Sequence, residues 1–487
     1  PDTDISAGNC IADADQGATT TNPYFDDSDE GGVRDGSEDA NLNGRRDEDE
    51  TDPRGGGDDG TVGDSDDDGL SDALEVTLHL DPNDADSDDD GLEDGREANP
   101  SLDTDHDGLV NTLDPDSDND ALTDGMELGE HCDKPYTDEF ARNCRTDQDF
   151  GSTVTSMLLE DTDGGGALDG SEDANLNGQI DPGEGDANIG QDDVLVLDGD
   201  SDGLSDALEQ TLGLGGLDVD SDDDGLPDGD EANPSLDTDL DGLLNTLDPD
   251  SDDDALTDGT ERGLGCALQD TDVLGGSCRP DGDAGATRTF ILLGDTDRGG
   301  VMDGSEDYNL NGQLDPGESD PGALQAGDDA IVSDTDGDGL PDALEISLRL
   351  SPNDKDSDDD GLLDGDEPNP SLDSDHDGLI NPRDPDSDND ALTDGTEAGE
   401  DCEAPDTDSG RGWCRPDQDG GETLTAVLLA DTDGGGLMDG SEDTDLNGQQ
   451  DQGDGDPTFR SPFDDVEITD SDGDGLSDVL EQILESS

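Results

Sequence analysis

"DSDDDGLSDALE", residues 64–75, sets six carboxylates into twelve positions. Asp64, Asp66 and Asp68 alternate, Gly69 follows, Asp72 takes the ninth place and Glu75 closes the stretch. Such crowding is repulsive unless a cation sits among the acids. The spacing is that of a calcium loop: side-chain oxygens at positions 1, 3 and 5, a glycine turn at 6, a backbone carbonyl at 7 and a bidentate glutamate at 12.

The pattern returns as "DGDSDGLSDALE" at 198, "DTDGDGLPDALE" at 334 and "DSDGDGLSDVLE" at 470, in steps of 134, 136 and 136 residues. A period of that kind marks a repeat architecture. It divides the chain into a partial unit (1–63), three units (64–197, 198–333 and 334–469) and the start of another (470–487). Each full unit carries six loops, the partial unit two and the last piece one, giving 21. Ten keep Asp or Asn at 3 and 5, Gly at 6 and Glu at 12. An acidic low-complexity tract would show no preference for glycine six residues into each run.

The candidate ligands follow loop by loop. First loops supply Asp64, Asp66, Asp68, Asp72 and Glu75; Asp198, Asp200, Asp202, Asp206 and Glu209; Asp334, Asp336, Asp338, Asp342 and Glu345; and Asp470, Asp472, Asp474, Asp478 and Glu481. Second loops supply Asp86, Asp88, Asp90, Asp94 and Glu97; Asp220, Asp222, Asp224, Asp228 and Glu231; and Asp356, Asp358, Asp360, Asp364 and Glu367. Third loops supply Asp103, Asp105, Asp107, Asn111 and Asp114; Asp237, Asp239, Asp241, Asn245 and Asp248; and Asp373, Asp375, Asp377, Asn381 and Asp384. Fourth loops supply Asp116, Asp118, Asp120, Asp124 and Glu127; Asp250, Asp252, Asp254, Asp258 and Glu261; and Asp386, Asp388, Asp390, Asp394 and Glu397. Fifth loops supply Asp27, Asp29, Asp35 and Glu38; Asp161, Asp163, Asp169 and Glu172; Asp295, Asp297, Asp303 and Glu306; and Asp431, Asp433, Asp439 and Glu442. Sixth loops supply Asp39, Asn41, Asn43, Asp47 and Glu50; Asp173, Asn175, Asn177, Asp181 and Glu184; Asp307, Asn309, Asn311, Asp315 and Glu318; and Asp443, Asp445, Asn447, Asp451 and Asp454.

Three departures carry information. Fifth loops have Gly at position 5 (Gly31, Gly165, Gly299, Gly435), so they are expected to bind weakly or to borrow an oxygen from the adjoining sixth loop. Fourth loops have Ala at the turn (Ala121, Ala255, Ala391), where a left-handed backbone costs about 1 kcal/mol. Third loops close with the shorter Asp (Asp114, Asp248, Asp384), expected to ligate through one oxygen or to bridge to the fourth loop.

Composition agrees that apolar burial cannot fold this chain. Its formal charge is -126 over 487 residues, with 26% hydrophobic and 2% aromatic side chains, values typical of disordered sequences. Length alone suggests about three domains, but a conventional core needs more Leu, Ile, Val and Phe than are present. Nucleic acid and anionic membranes would be repelled; divalent cations are the natural partner. No apolar run is long enough for a membrane span or a signal-peptide core. The chain starts at Pro1, so an export signal is read as removed or not included.

Cysteines are regular as well. Cys132 and Cys144, Cys266 and Cys278, and Cys402 and Cys414 are each twelve apart, inside the 33-residue gap after the fourth loop. Three local disulfides in an oxidising, extracellular setting are expected, each stabilising by about 2–3 kcal/mol. Zinc is the rival, but no second Cys or His pair recurs nearby. Cys10 is left over; "PDTDISAGNC" at 1–10 matches "PDTDSGRGWC" at 405–414, which reads as a chain opening inside a disulfide loop of a longer array, or as Cys10 bonding a neighbouring subunit.

Between loops there is little room for secondary structure. Fourth loops begin two positions after third loops end, and sixth loops follow fifth loops directly, which excludes paired EF-hands, and the apolar residue falls at position 7 (Leu70, Leu92, Leu109) where EF-hands use 8. These leucines are expected to form a thin apolar seam. Short helical turns are expected in "ALEVTLHL" (73–80), "ALEQTLGL" (207–214) and "ALEISLRL" (343–350), ended by Pro82 and Pro352 and weakened by Gly213. Two β-prone runs recur, "SMLL" (156–159), "FILL" (290–293) and "AVLL" (426–429), and "VLVL" (194–197), "AIVS" (330–333) and "VEIT" (466–469). Their pairing into two-stranded sheets packed by the disulfide loop is the expected mini-core.

The loops and the connector "LDPNDADSDDDGL" (80–92), repeated as "LSPNDKDSDDDGL" (350–362), resemble the thrombospondin type 3 repeat family found in bacterial surface and secreted proteins. The resemblance implies a mostly irregular repeat rod wrapped around a line of calcium ions that serve as its core. The cysteine-bearing gap lies outside the resemblance.

Hard oxygens in flexible loops of high ligand count suit calcium, whereas magnesium demands a tighter octahedron. With site constants near 0.1 mM and free calcium near 1 mM, each site adds about 1.4 kcal/mol. One ion per loop supplies 42 positive charges against the formal -126, leaving about -84, so further ions shared between abutting loops are expected. Sites lying end to end suggest a quasi-one-dimensional object whose loops touch only their neighbours.

The functional expectation is an extracellular, calcium-stiffened structural protein: a rod, filament subunit or adhesin stalk, self-associating or continuing into a longer repeat chain. The alternatives are a calcium buffer and a non-catalytic spacer of a larger secreted enzyme. A sensor needs two states and a groove to expose, and Met-rich helix pairs are lacking. Catalysis finds no support: His79, His106, His131 and His376 are the only histidines, His106 aligns with Leu240, Trp413 reads as a packing residue, and no nucleophile constellation or phosphate loop occurs.

Overall fold

Among the described residues, first to fifth loops nearly all end in a turn of helix, and sixth loops do not. The computed structural model describes residues 13–450 and 457–458, apart from 16, 23, 30, 48, 49, 58, 139, 140, 269, 270, 272, 274, 275, 323–331, 401, 403, 419, 422, 444 and 445. Positions 9–12 of the fourth and fifth loops are one-turn α-helices, such as Asp124–Glu127, Asp169–Glu172, Asp258–Glu261 and Asp303–Glu306. Position 9 opens a 3-10 turn in several second and third loops, as at Asp94–Arg96 and Asn111–Leu113. Position 8 is extended, with ψ 149° at both Leu168 and Thr123, and the acid that follows suits the first turn of a helix. That turn swings the glutamate of position 12 back onto the acids of positions 1–5.

First loops continue into seven-residue helices, Asp72–Leu78, Asp206–Leu212 and Asp342–Leu348, as expected. Prolines do not end them. His79, Gly213 and Arg349 adopt left-handed backbone at φ 69°, 90° and 70°. The next N–H, of Leu80, Leu214 and Leu350, then bonds back to Glu75 O, Glu209 O and Glu345 O at 2.9, 2.8 and 2.7 Å. This C-terminal cap closes the helix three residues before Pro82 and Pro352.

The expected sheets do not form: no strand occurs among the described residues, which hold only an isolated bridge between Pro316 and Glu318. "SMLL", "FILL" and "AVLL" are turns in which the N–H of Leu159, Leu293 and Leu429 bonds to Ser156 O, Phe290 O and Ala426 O. The N–H groups of Ser156, Phe290 and Ala426 are held at 2.9 Å by the hydroxyls of Thr162, Thr296 and Thr432 in the fifth loop. Donors spent this way cannot serve a ladder. "VLVL" enters a 3-10 turn, Asp193–Leu195, with Val194 and Leu195 exposed. Residues 330–331 of "AIVS" and all of "VEIT" lie outside the described residues.

Apolar packing is sparse and centres on the helix after each first loop. Leu70, Leu74, Leu78 and Leu80 cluster with Ala40, Leu42 and Leu113; Leu340, Leu344 and Leu350 cluster with Ala255, Leu256 and Leu310. Position-7 leucines of first and second loops are buried, whereas Leu109 of a third loop is half-exposed.

Three disulfides join Cys132 to Cys144, Cys266 to Cys278 and Cys402 to Cys414, as the spacing indicates, and suit an oxidising, non-cytoplasmic compartment. Each covalent loop folds over the second acidic loop of its repeat, where the hydroxyls of Thr137, Thr271 and Thr407 donate to Asp86, Asp220 and Asp356. Cys10 lies outside the described residues. No described helix is long and apolar enough to cross a membrane.

The chain packs as two compact units, Pro1–Val219 with Asp228–Leu236, and Asp220–Pro227 with Asp237–Ser487. Residues 228–236 join the first because Asn233 and Ser235 bond to Asn119 and Ala121. Loop contacts therefore depart from sequence order: the second loop meets the fourth, and the connector before a third loop meets the fourth loop of the preceding repeat.

Candidate metal centres

Within each loop the alternating acids converge. One carboxylate oxygen from each of Asp64, Asp66 and Asp68 lies within 4.8 Å of the other two, and the same holds for Asp86, Asp88 and Asp90, for Asp103, Asp105 and Asp107, and for Asp116, Asp118 and Asp120. Asp120 and Glu127 of a fourth loop also gather with Asp169 of the fifth, so one cluster is built by two loops. Thirteen further clusters of three or more acids or other metal-ligating side chains occur among the described residues.

The glutamates at position 12 show what these clusters need. Glu75, Glu209 and Glu345 are fully buried and Glu172 is 1% exposed, yet both carboxylate oxygens of all four lack any hydrogen-bond partner. An unsatisfied buried carboxylate is among the costliest groups a fold can hold. Burial, then the charges of Asp66, Asp68 and Asp72, pushes Glu75 up to about 8. Glu209 and Glu345 rise to about 8 for the same reasons in their own loops. Bidentate oxygens with no donor, facing three converging carboxylates, fit a hard divalent cation.

Hydrogen bonds hold the remaining acids in place. At position 9 both oxygens are taken by residue 2: the N–H and hydroxyl of Ser87 donate to Asp94 at 2.7 and 2.6 Å, those of Ser117 to Asp124 at 3.0 and 2.7 Å, and those of Thr162 to Asp169 at 3.0 and 2.6 Å. Position 9 is therefore a buckle across the loop as well as an acid near the site. Its partner, a Ser or Thr at position 2 in most loops, was legible as a recurring residue and carries no ligand role in the sequence reading.

Position 5 links one loop to another. Asp68 accepts the N–H of Leu70 at 2.7 Å and that of Gly95, position 10 of the second loop, at 2.9 Å. Asp90 accepts from Gly125 of the fourth loop, Asp254 from Gly304 of the fifth at 2.9 Å, and Asp390 from Gly440 at 2.7 Å. Glycine is required at these positions: a Cβ on Gly125, Gly259 or Gly440 would lie 2.5, 2.6 or 2.5 Å from the carbonyl oxygen of the docked acid.

The fifth loop borrows its missing oxygen from an unexpected place. Asp193, which belongs to no loop, fills the space a side chain at Gly165 would occupy. It accepts the N–H of Ala167 at 3.1 Å, as Asp68 accepts that of Leu70. Acid pairs recur at 58–59, 192–193, 328–329 and 464–465. That recurrence was the available signal, and in the loop at 161–172 the acid nearest the vacant place is Asp193 rather than one of the sixth loop. Asp114 is fully buried and accepts the N–H of Asp116, the first residue of the fourth loop, at 3.2 Å. Burial and the charges of Asp107 and Asp105 on one side, Asp124 and Asp116 on the other, raise it well above the carboxylate range. The turn alanines are left-handed, at φ 83°, 86° and 90° for Ala121, Ala255 and Ala391.

Sixth loops are built differently. Glu184 accepts the N–H of Asp181 at 2.7 Å and the Asn175 amide, while the Asn177 amide donates to Asp181 at 3.1 Å. Asp445, Asp451 and Asp454 of one sixth loop, and Asp470, Asp472, Asp474, Asp478 and Glu481, lie outside the described residues. No family model matches the chain, and no curated protein matches it.

Proposed function

We propose that this chain is a secreted, calcium-binding structural protein in which ions held by the acidic loops replace the apolar core, giving a thrombospondin type 3-like repeat rod that serves as a filament subunit or adhesin stalk. The observation that carries this reading is the set of four buried position-12 glutamates, Glu75, Glu172, Glu209 and Glu345, whose carboxylate oxygens have no hydrogen-bond partner within the protein. All-oxygen donors, about six in a loop with the full set counting the position-7 carbonyl and both oxygens of the closing glutamate, favour calcium over zinc or copper, and the flexible loop favours it over magnesium. The roles of the residues are to ligate (positions 1, 3, 5 and 12), to clasp the loop (2 and 9) and to dock loop on loop (5 and 10). Three disulfides per chain support an extracellular setting.

The test is metal analysis of the purified chain with circular dichroism before and after a calcium-selective chelator. Many bound calcium ions per chain and loss of the helical signal on chelation are expected, with recovery by calcium and not by equimolar magnesium. A spectrum indifferent to chelation would sink the reading.

A further inference from the structure

Each second loop is covered by the disulfide loop of its own repeat, and the cover grips the acids themselves. Besides the Thr137 hydroxyl on Asp86, the Asp138 N–H donates to Asp89 Oδ1 at 2.6 Å and the Asn143 amide to Asp88 O at 2.7 Å. A Cβ on Gly91, the turn glycine of this loop, would lie 2.9 Å from Cys144 Sγ, so the disulfide rests on the turn. The third repeat has the same grip: Thr407 donates to Asp356, the Asp408 N–H to Asp359 Oδ1 at 2.6 Å, and Arg411 Nη1 pairs with Asp359 Oδ2 at 2.6 Å. In the second repeat Thr271 donates to Asp220, and a Cβ on Gly225 would lie 3.1 Å from Cys278 Sγ. All three threonines stand five residues after the first cysteine of their pair.

First loops have no such cover. Their position-1 acids, Asp64, Asp198 and Asp334, are exposed, whereas Asp86 and Asp220 are fully buried and Asp356 is 1% exposed. Beneath the cover an oxygen is left over for an ion. Asp88 and Asp358, at position 3, are each 6% exposed; one oxygen accepts the N–H of Asp90 or Asp360 at 3.2 or 3.1 Å, and the other has no hydrogen-bond partner.

We propose that the disulfide loop makes the second loops tighter calcium sites than the first loops, with Thr137, Thr271 and Thr407 as the residues that position the acid of position 1. A ligand held in place beforehand lowers the ordering cost of binding, and a site closed to water strengthens the attraction between cation and acids. The disulfide keeps the threonine within reach by limiting the excursions of the segment that carries it. The inference rests on the calcium reading above, which metal content of the purified chain tests separately.

Hydrogen exchange across a calcium titration reads each loop in the same molecule. Residues 86–97 and 356–367 are expected to gain protection at lower calcium than residues 64–75 and 334–345. Thr137→Val keeps the shape of the side chain and deletes the donor; it should raise the calcium midpoint of residues 86–97 by roughly tenfold, within the usual range for coupled groups. Residues 356–367 of the same chain should not move, protection at saturating calcium should match the parent, and Thr137→Ser should restore the midpoint. Cys132→Ser with Cys144→Ser, which frees that one cover, should shift the midpoint in the same direction as Thr137→Val. Second loops that fill with or after the first loops, an unchanged midpoint in Thr137→Val, or loss of protection at saturating calcium without a change of midpoint would overturn the proposal and leave the calcium reading standing. A chain that takes up no calcium overturns both, and metal content alone identifies that case.

Discussion

The first and sixth loops of a repeat share the same twelve-residue spacing and solve its electrostatic problem in different ways. In the first loop every liganding side chain is a carboxylate, and Glu75 is fully buried with neither oxygen satisfied. In the sixth, positions 3 and 5 are Asn175 and Asn177, whose amides donate to Asp181 and Glu184 within the loop. The first loop also carries a seven-residue helix, whereas the sixth carries none and joins the apolar cluster only through Ala40 and Leu42. Charge count thus separates a loop whose buried glutamate finds no partner in the protein from one that is partly self-sufficient. The unsatisfied acids of the first loop lie where the scarce apolar packing is anchored.

Removing calcium should have the largest effect and should break the two loops unequally. Hydrogen exchange read peptide by peptide is expected to show residues 64–80 and 198–214 losing protection early in a chelator titration, with residues 173–184 following later. Simultaneous loss would remove the distinction. Protons should partly stand in for the ions. Glu75, Glu209 and Glu345 are raised by burial and neighbouring acids to about 8, so between the ordinary glutamate value and 8 the folded form binds more protons than the unfolded form. Stability of the calcium-free chain is therefore expected to fall as pH rises through that window. With calcium bound the dependence reverses, because protons compete for the same oxygens. Tracking compactness by scattering at pH 5 and pH 8, with and without calcium, checks both signs.

Next in size is the docking glycine. Gly259→Ala would place a methyl against the carbonyl of Asp224, about 1–3 kcal/mol of overpacking in a contact with no room to relax. Gly60→Ala, where nothing lies within 4 Å of the added carbon, is the matched control and should be nearly silent. Thermal unfolding in saturating calcium measures both.

What the sequence made legible follows from what is local. The acids at 1, 3 and 5, the glutamate at 12, the cysteine pairs and the helices after the first loops all depend on residues within about a dozen positions, and period and spacing carry that information. The functions of Gly95 and Gly125 were hidden because they exist only when two loops meet. The runs "SMLL" and "VLVL" have genuine β propensity, but propensity reports a side chain's fit to a pleated surface that must exist first. Here Thr162 and a tight turn claim the backbone donors of one run, and the other turns to deliver Asp193 to the fifth loop.

The smallest expected effect is also the sharpest test of how loops are completed. Asp193→Asn keeps the size and one acceptor oxygen of the borrowed side chain and removes its charge. If Asp193 stands in for the absent position-5 acid, calcium affinity at the fifth loop should drop by about tenfold or more, since charge count tunes such sites, and exchange at the Ala167 amide should quicken at limiting calcium. Asp68→Asn makes the same change in a first loop, where the carboxylate also docks Gly95. It should therefore open residues 64–80 and loosen the second loop together, whereas Asp193→Asn leaves the fourth loop intact. Equal, purely local effects from the two substitutions would mean that position 5 only ligates and that the docking role belongs to glycine alone.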